Sequence, residues 1–162
     1  MKKFVIAAAC FSCLTMTGCS VLNFSVEGLI NAPKLTSEQS EIHQALIESV
    51  GSNITLKYPK NGEYRSAYVI ANIDDEPTDE AMVFYEYTSN GSEEDGLRVN
   101  ILDKDDSGKW YSVKELAGAG TDIDQVIISP MGNSNQIDVF VGYQNLTNDE
   151  KTLEIYSLSL IH

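Results

Sequence analysis

Hydrophobic positions along the chain follow two rhythms, divided at Gly51. Before it, Ile42, Ala45, Leu46 and Val50 recur at the spacing that places side chains on one face of a helix. Thr36 stands where an N-cap is needed and Gln39 three positions later, so each side chain can satisfy the other's free backbone N–H. One amphipathic helix over about 37 to 50 is predicted. After Gly51 the period shortens to two, the repeat of a strand whose side chains alternate between faces. Strands are predicted at Ile54 to Tyr58, Tyr64 to Ala71, Ala81 to Tyr87, Leu97 to Leu102, Trp110 to Leu116, Ile123 to Ser129, Ile137 to Tyr143 and Thr152 to Leu158. Turn chemistry separates them at 59–62, 89–92, 105–108 and 118–120. Short strands at such spacing predict an antiparallel, mainly β fold behind one helix.

The strand pattern repeats. Tyr68-Val69-Ile70-Ala71 and Ala81 to Tyr85 align with Val126-Ile127-Ile128-Ser129 and Val139 to Tyr143 at an offset of about 58, with connecting loops of equal length. A period of this size is compatible with propeller blades, each a four-stranded sheet; chance alternation of apolar residues is the competing explanation. The repeats span about 64–116 and 122–162, within a β domain of 52–162.

Between two of these strands lies the acidic stretch Asn72-Ile73-Asp74-Asp75-Glu76-Pro77-Thr78-Asp79-Glu80. Counted from Asn72, oxygen-bearing side chains fall at alternating positions, namely Asn72, Asp74, Glu76, Thr78 and Glu80, the spacing by which a tight loop surrounds a hard cation. These residues resemble the FG-GAP/VCBS type of propeller repeat, over roughly 64 to 158, and Asp138 to Tyr143 is similar to the ending of its second copy. The helix-then-strand start also resembles propeller lipoproteins of Gram-positive gut bacteria. The resemblance implies about two propeller-like blades, an incomplete propeller, and calcium as a candidate cofactor. Asn72 and Glu76 replace two aspartates of that pattern. Pro77 replaces the glycine that takes positive φ. The loop is therefore read first as a solvated strand connection, with a calcium site as the alternative. Asp79 and Glu80 are not promoted to a catalytic pair, because sugar-cleaving carboxylates must face each other across a substrate.

The beginning of the chain adds an address. Lys2 and Lys3 precede an apolar run from Phe4 to Met16, and Thr17-Gly18-Cys19 closes it, the layout of a secretory signal over 1–18. Met16-Thr17-Gly18-Cys19 resembles a bacterial lipobox, which implies acylation of Cys19 and a tether over 19–35. An ordinary signal peptide is the alternative. Two or three acyl chains hold a protein stably at a membrane, whereas one holds it marginally. The expected location is the extracytoplasmic face of a cell membrane, on the outer surface of a Gram-positive cell or, alternatively, the periplasmic side.

With Cys10 and Cys13 in the removed segment, Cys19 alone remains, so neither a disulfide nor a thiolate site is expected. Without Lys2 and Lys3, nine basic residues stand against 24 acidic ones, a mature charge of −15. That balance argues against nucleic acid as a partner. His43 and His162 are the two histidines, and no Gly-x-Ser-x-Gly elbow occurs. His43 is read as a surface residue. Trp110 and Tyr111 are read as core aromatics before ligand stackers, while the alternation Tyr64, Tyr68, Phe84, Tyr85, Tyr87 and Tyr143 is expected to leave some ring faces outside.

The expected role is a non-enzymatic, surface-exposed lipoprotein whose β repeats bind a protein, glycan or envelope component. The alternatives are an envelope-assembly lipoprotein without a ligand, and part of a cell-wall-acting enzyme. The closed propeller needs four to eight blades, about twice or more what these strands supply, so either the chain is a truncated member of a longer family or its two sheets pack on each other and the helix as a small compact domain; the ending Leu158 to His162 stops within a strand pattern, which favours truncation.

Overall fold

Thr36 accepts a hydrogen bond from Gln39 N at 3.1 Å, and Gln39 Oε1 accepts one from Thr36 N at 3.1 Å, so the capping box starts helix α1 (Ser37–Val50) as predicted. Gly51, at φ 86°, ends it and donates its N–H to Ile47. The computed structural model describes residues 34–74, 76–88, 96–131, 137–147 and 150–157. Eight strands follow the helix: β1 (Ile54–Leu56), β2 (Tyr68–Ala71), β3 (Glu80–Tyr87), β4 (Leu97–Lys104), β5 (Trp110–Ala117), β6 (Asp122–Pro130), β7 (Ile137–Gln144) and β8 (Lys151–Tyr156). The protein is mainly β, with two antiparallel sheets and one helix.

In the first sheet β1 and β2 lie end to end along one edge of β3, and β4 and β5 continue from its other edge. The second sheet is the meander β6-β7-β8. Neither sheet closes on itself among the described residues. Between β1 and β2 the chain leaves the first sheet to reach the second. Lys60 N and Asn61 N donate to the carbonyls of Ile123 and Asp124 at 3.1 and 2.8 Å, and the Asn61 amide donates to the Asp124 carboxylate at 2.7 Å. The strands predicted to run to Tyr58 and from Tyr64 are cut short by this detour, which Pro59, lacking an N–H, helps to begin.

The layers are helix, first sheet, second sheet. Ile42, Ala45 and Leu46 of α1 pack on Tyr68, Ala81, Val83, Tyr85, Leu102 and Trp110. The opposite face, with Val69, Met82, Phe84, Val99 and Ile101, packs on Ile123, Val126, Val139, Val141 and Tyr143 of the second sheet. Strand β3 is thus covered on both sides, which explains its unbroken apolar run Ala81 to Tyr85. Burial of Ile42 and of Leu46 contributes about 1.5–3 kcal/mol each.

The crossing from β5 to β6 requires glycine. A Cβ on Gly120 stands 2.9 Å from Gln144 O, and one on Gly118 stands 3.0 Å from the Tyr143 ring. Only a residue without a side chain passes there undistorted.

The hairpins aligned in sequence at an offset of 58 pair in identical register. Tyr68 opposes Val83 and Val126 opposes Val141; Val69 opposes Met82 and Ile127 opposes Phe140; Ala71 opposes Glu80 and Ser129 opposes Asp138. The next strand follows suit with a shorter offset of 54, since Met82 opposes Ile101 and Phe140 opposes Ile155.

Candidate functional site

The acidic loop is organised by its own hydrogen bonds. Asn72 directs its amide N–H group to the carbonyls of Glu76 and Thr78, at 2.5 and 3.0 Å. Asp74 Oδ1 accepts the N–H of Glu76 at 2.7 Å, an Asx turn. Glu80 turns inward, where Oε2 accepts the N–H of Ile73 at 2.8 Å and Oε1 is buried without a hydrogen-bond partner. The alternating set therefore divides. Asn72 presents donors to the loop carbonyls, Asp74 braces the turn, Glu76 and Thr78 lie exposed, and Glu80 is 2% exposed. Among the described residues no three His, Cys, Asp or Glu side chains converge as a metal set.

Glu80 has an unusual setting for a carboxylate. Burial pushes its carboxyl up to about 7, the Ile73 N–H opposes that rise, and the negative Asp74 and Asp103 add to it. Asp103, itself buried, accepts its neighbour Lys104 N at 2.6 Å. Both acids lie inside the fold, so they do not flank an open cleft.

A groove of about 530 Å³ runs between α1 and the β4–β5 turn, with Ser40, Gln44, Glu48, Lys109 and Trp110 among its walls. Lys109 bridges it to Glu48 at 3.5 Å. The Gln44 amide, then Lys109, hold the Glu48 carboxyl below its ordinary range. Trp110 is buried against the helix with Lys104 Nζ 4.4 Å from its ring centroid, so its face is already occupied and unavailable for stacking on a ligand.

The aromatics expected to offer outward faces are mostly core. Tyr68, Phe84, Tyr85 and Tyr143 are buried and Tyr64 and Tyr87 are half-buried, because Tyr68 and Tyr85 pack under α1 while Phe84 and Tyr143 lie between the two sheets. Of the Trp110–Tyr111 pair, Trp110 is core while Tyr111 is exposed. His43 departs from its expected surface position as well: it is half-buried, its Nδ1 2.8 Å from the hydroxyl of Tyr68, with the rings edge to face.

The exposed apolar surface lies elsewhere, on the outer face of the second sheet. Ile127, Phe140 and Ile155 form one row across β6, β7 and β8, and Gln125, Gly142 and Leu153 form the next. Ile127, Ile155 and Leu153 are 45%, 47% and 62% exposed. At one end of this face Lys151 pairs with Asp124 at 3.0 Å and Lys60 with Asp122 at 3.1 Å. At the other end the buried Asp138 accepts the hydroxyl of Ser157. The face thus has an apolar centre and a polar, ion-paired rim. Sequence reading missed it, although its signal was present: these residues stand one repeat after core positions of the first sheet.

Cys19, expected to carry the lipid, lies outside the described residues. Among the described residues no helix is long and apolar enough to cross a membrane. No family model, no curated protein and no solved structure matches the chain.

Proposed function

We propose that this chain is a lipoprotein, anchored by acylated Cys19 to the extracytoplasmic face of a membrane, that displays a non-enzymatic β-repeat module for binding another protein. The observation that carries this reading is the aliphatic outer face of the second sheet, exposed in a chain whose net charge is −13. A chain that needed only solubility gains nothing from leaving Ile127, Leu153 and Ile155 in water. The signal layout at 1–19 supports the anchor, and a tether reaching to the capped start of α1 supports display away from the bilayer. Two antiparallel meanders in common register support a propeller-like repeat.

The experiment is in cells. A photo-crosslinking amino acid at position 155 is expected to give adducts heavier than the chain, and Cys19→Ala is expected to release the protein from membranes on fractionation. A chain that stays membrane-bound with alanine at 19 sinks the anchor. Absence of any adduct from 155, 153 and 127 alike sinks the binding face.

A further inference from the structure

Each sheet has two edges, and among the described residues three of the four are guarded. Beside β3 the edge is broken into β1 and β2, of three and four residues, with Pro59 and the detour between them. Edge strand β5 carries a bulge: Ile101 opposes Lys114 and Leu102 opposes Ser112, so Val113 has no opposite residue. Edge strand β6 carries another at Asp124, ends at Pro130, and has the carbonyls of Ile123 and Asp124 taken by the N–H groups of Lys60 and Asn61. Such devices keep a sheet from adding a further strand. Strand β8 has neither bulge nor proline nor cover. It runs from Lys151 to Tyr156 in unbroken register with β7, and no described strand pairs with its other side. Its one lysine, Lys151, stands at the end and is paired with Asp124.

The repeat shows what that edge is patterned for. At the offset of 54, Leu153, Glu154 and Ile155 of β8 correspond to Val99, Asn100 and Ile101 of β4. In the first sheet β5 lies along β4, with Leu116 opposite Val99, Glu115 opposite Asn100 and Lys114 opposite Ile101. The second sheet stops one strand short of this, at β8.

We propose that an extended segment of a partner protein, with basic and apolar residues alternating, pairs along the free edge of β8 as the fourth strand of the second sheet. The addition rests on the binding role proposed above and gives its mode, since Leu153 and Ile155 belong both to this edge strand and to the exposed outer face.

Charge selects the partner. Glu154 lies half-buried on the inner side of β8, opposite Val141. It accepts the hydroxyl of Tyr156 at 2.5 Å, and among the described residues no cation pairs with it. An incoming strand sets one side chain directly beside Glu154, where a lysine or arginine gains a cross-strand ion pair and an acid meets like charge. The net charge of −13 acts in the same sense at long range, drawing in a basic segment and holding off a second copy of the chain.

The side chains flanking that basic residue fall beside Leu153 and Ile155, on the outer face, because successive residues of a strand point to opposite sides. Apolar groups there lengthen the rows that Ile127, Phe140 and Ile155 and Gly142 with Leu153 already form. Main-chain hydrogen bonds along β8 supply the affinity, and the alternation of basic and apolar positions supplies the selectivity.

The test is amide hydrogen exchange, read residue by residue by NMR, on the mature chain from residue 19 with Cys19→Ala so that no acyl group is present. The probe is a peptide of residues 110–117, the strand that fills this edge in the first sheet, carrying Glu115→Lys. In the protein alone, the N–H groups of 152–156 that bond to β7 are expected to be protected, and the alternate ones to exchange freely. Peptide at up to millimolar concentration is expected to protect those alternate groups. The same peptide with Glu115 unaltered is expected to bind about fivefold more weakly, and Glu154→Gln in the protein is expected to weaken the lysine peptide to a similar extent. Equal binding of the two peptides overturns the basic partner. Strand addition is overturned by an absence of new protection at millimolar peptide. It is overturned as well by protection of the alternate groups in the protein alone: constant protection means that the chain fills its own edge, and protection that rises with protein concentration means that a second copy does. In each of these cases the binding role stands or falls separately, by the adducts from 155, 153 and 127 in cells.

Discussion

Glu80 and Asp138 stand 58 residues apart and occupy the same place in two successive sheets. Each is the buried acid near the start of a central strand, opposite Ala71 in one hairpin and Ser129 in the other. Their partners differ. Asp138 accepts the hydroxyl of Ser157, whereas Glu80 has Asp103 at the matching position and one oxygen without a partner. The first sheet therefore carries an electrostatic burden that the second has shed.

That burden predicts a pH dependence. The folded Glu80 carboxyl titrates at about 7, above the ordinary value of 4.5, so folding favours its protonated form. Its contribution to stability is complete below the unfolded value and is lost as pH rises toward 7, by at most on the order of 3 kcal/mol. Glu80→Gln keeps an oxygen for the Ile73 N–H and removes the titration. Melts of both proteins from pH 4.5 to 8 are expected to converge at the acid end and to favour the variant at pH 8. Parallel curves would show that Glu80 is ionised at no cost.

Asp74→Ala is expected to lose the Asx turn at about 1 kcal/mol, and millimolar calcium is expected to leave the melting temperature of the unaltered protein where EDTA leaves it. The reason is geometric: the Asn72 amide donates into the Glu76 and Thr78 carbonyls, and Glu80 points into the core. A calcium-dependent rise, abolished by Asp74→Ala, would mean that the loop rearranges around the ion.

Gly120→Ala tests the crossing between sheets. Its methyl meets both the Gln144 carbonyl oxygen at 2.9 Å and Tyr143 Cβ at 3.0 Å, so backbone must shift. Overpacking of this kind costs about 1–3 kcal/mol. Denaturant melts read it directly; an unchanged midpoint would show the linker to be free to shift.

Leu46→Ala tests how far the helix is part of the fold. Leu46 is fully buried against the first sheet, so a loss of about 2–5 kcal/mol is expected. If the strand signal melts normally while only helical signal is lost, α1 is a dispensable cover.

The sequence by itself determined the helix, its cap and nearly every strand, because those depend on local periodicity and on Thr36, Gln39 and Gly51. Its offset of 58 also anticipated two hairpins of common register, since equal loops between equal patterns set the same pairing. Which alternate residues are inside was not legible. A period of two marks two faces without naming the covered one, so Tyr68, Phe84 and Tyr143, in a set expected to leave ring faces outside, are buried, while Tyr111, read as core, is exposed. Equally, spacing placed Glu80 among loop ligands, although its side chain turns inward to the Ile73 N–H. Only the tertiary structure decided these points. The layer order of α1, first sheet and second sheet covers both sides of β3 and leaves the row of Ile127, Phe140 and Ile155 open, because burial depends on which layers meet, and no local pattern encodes that.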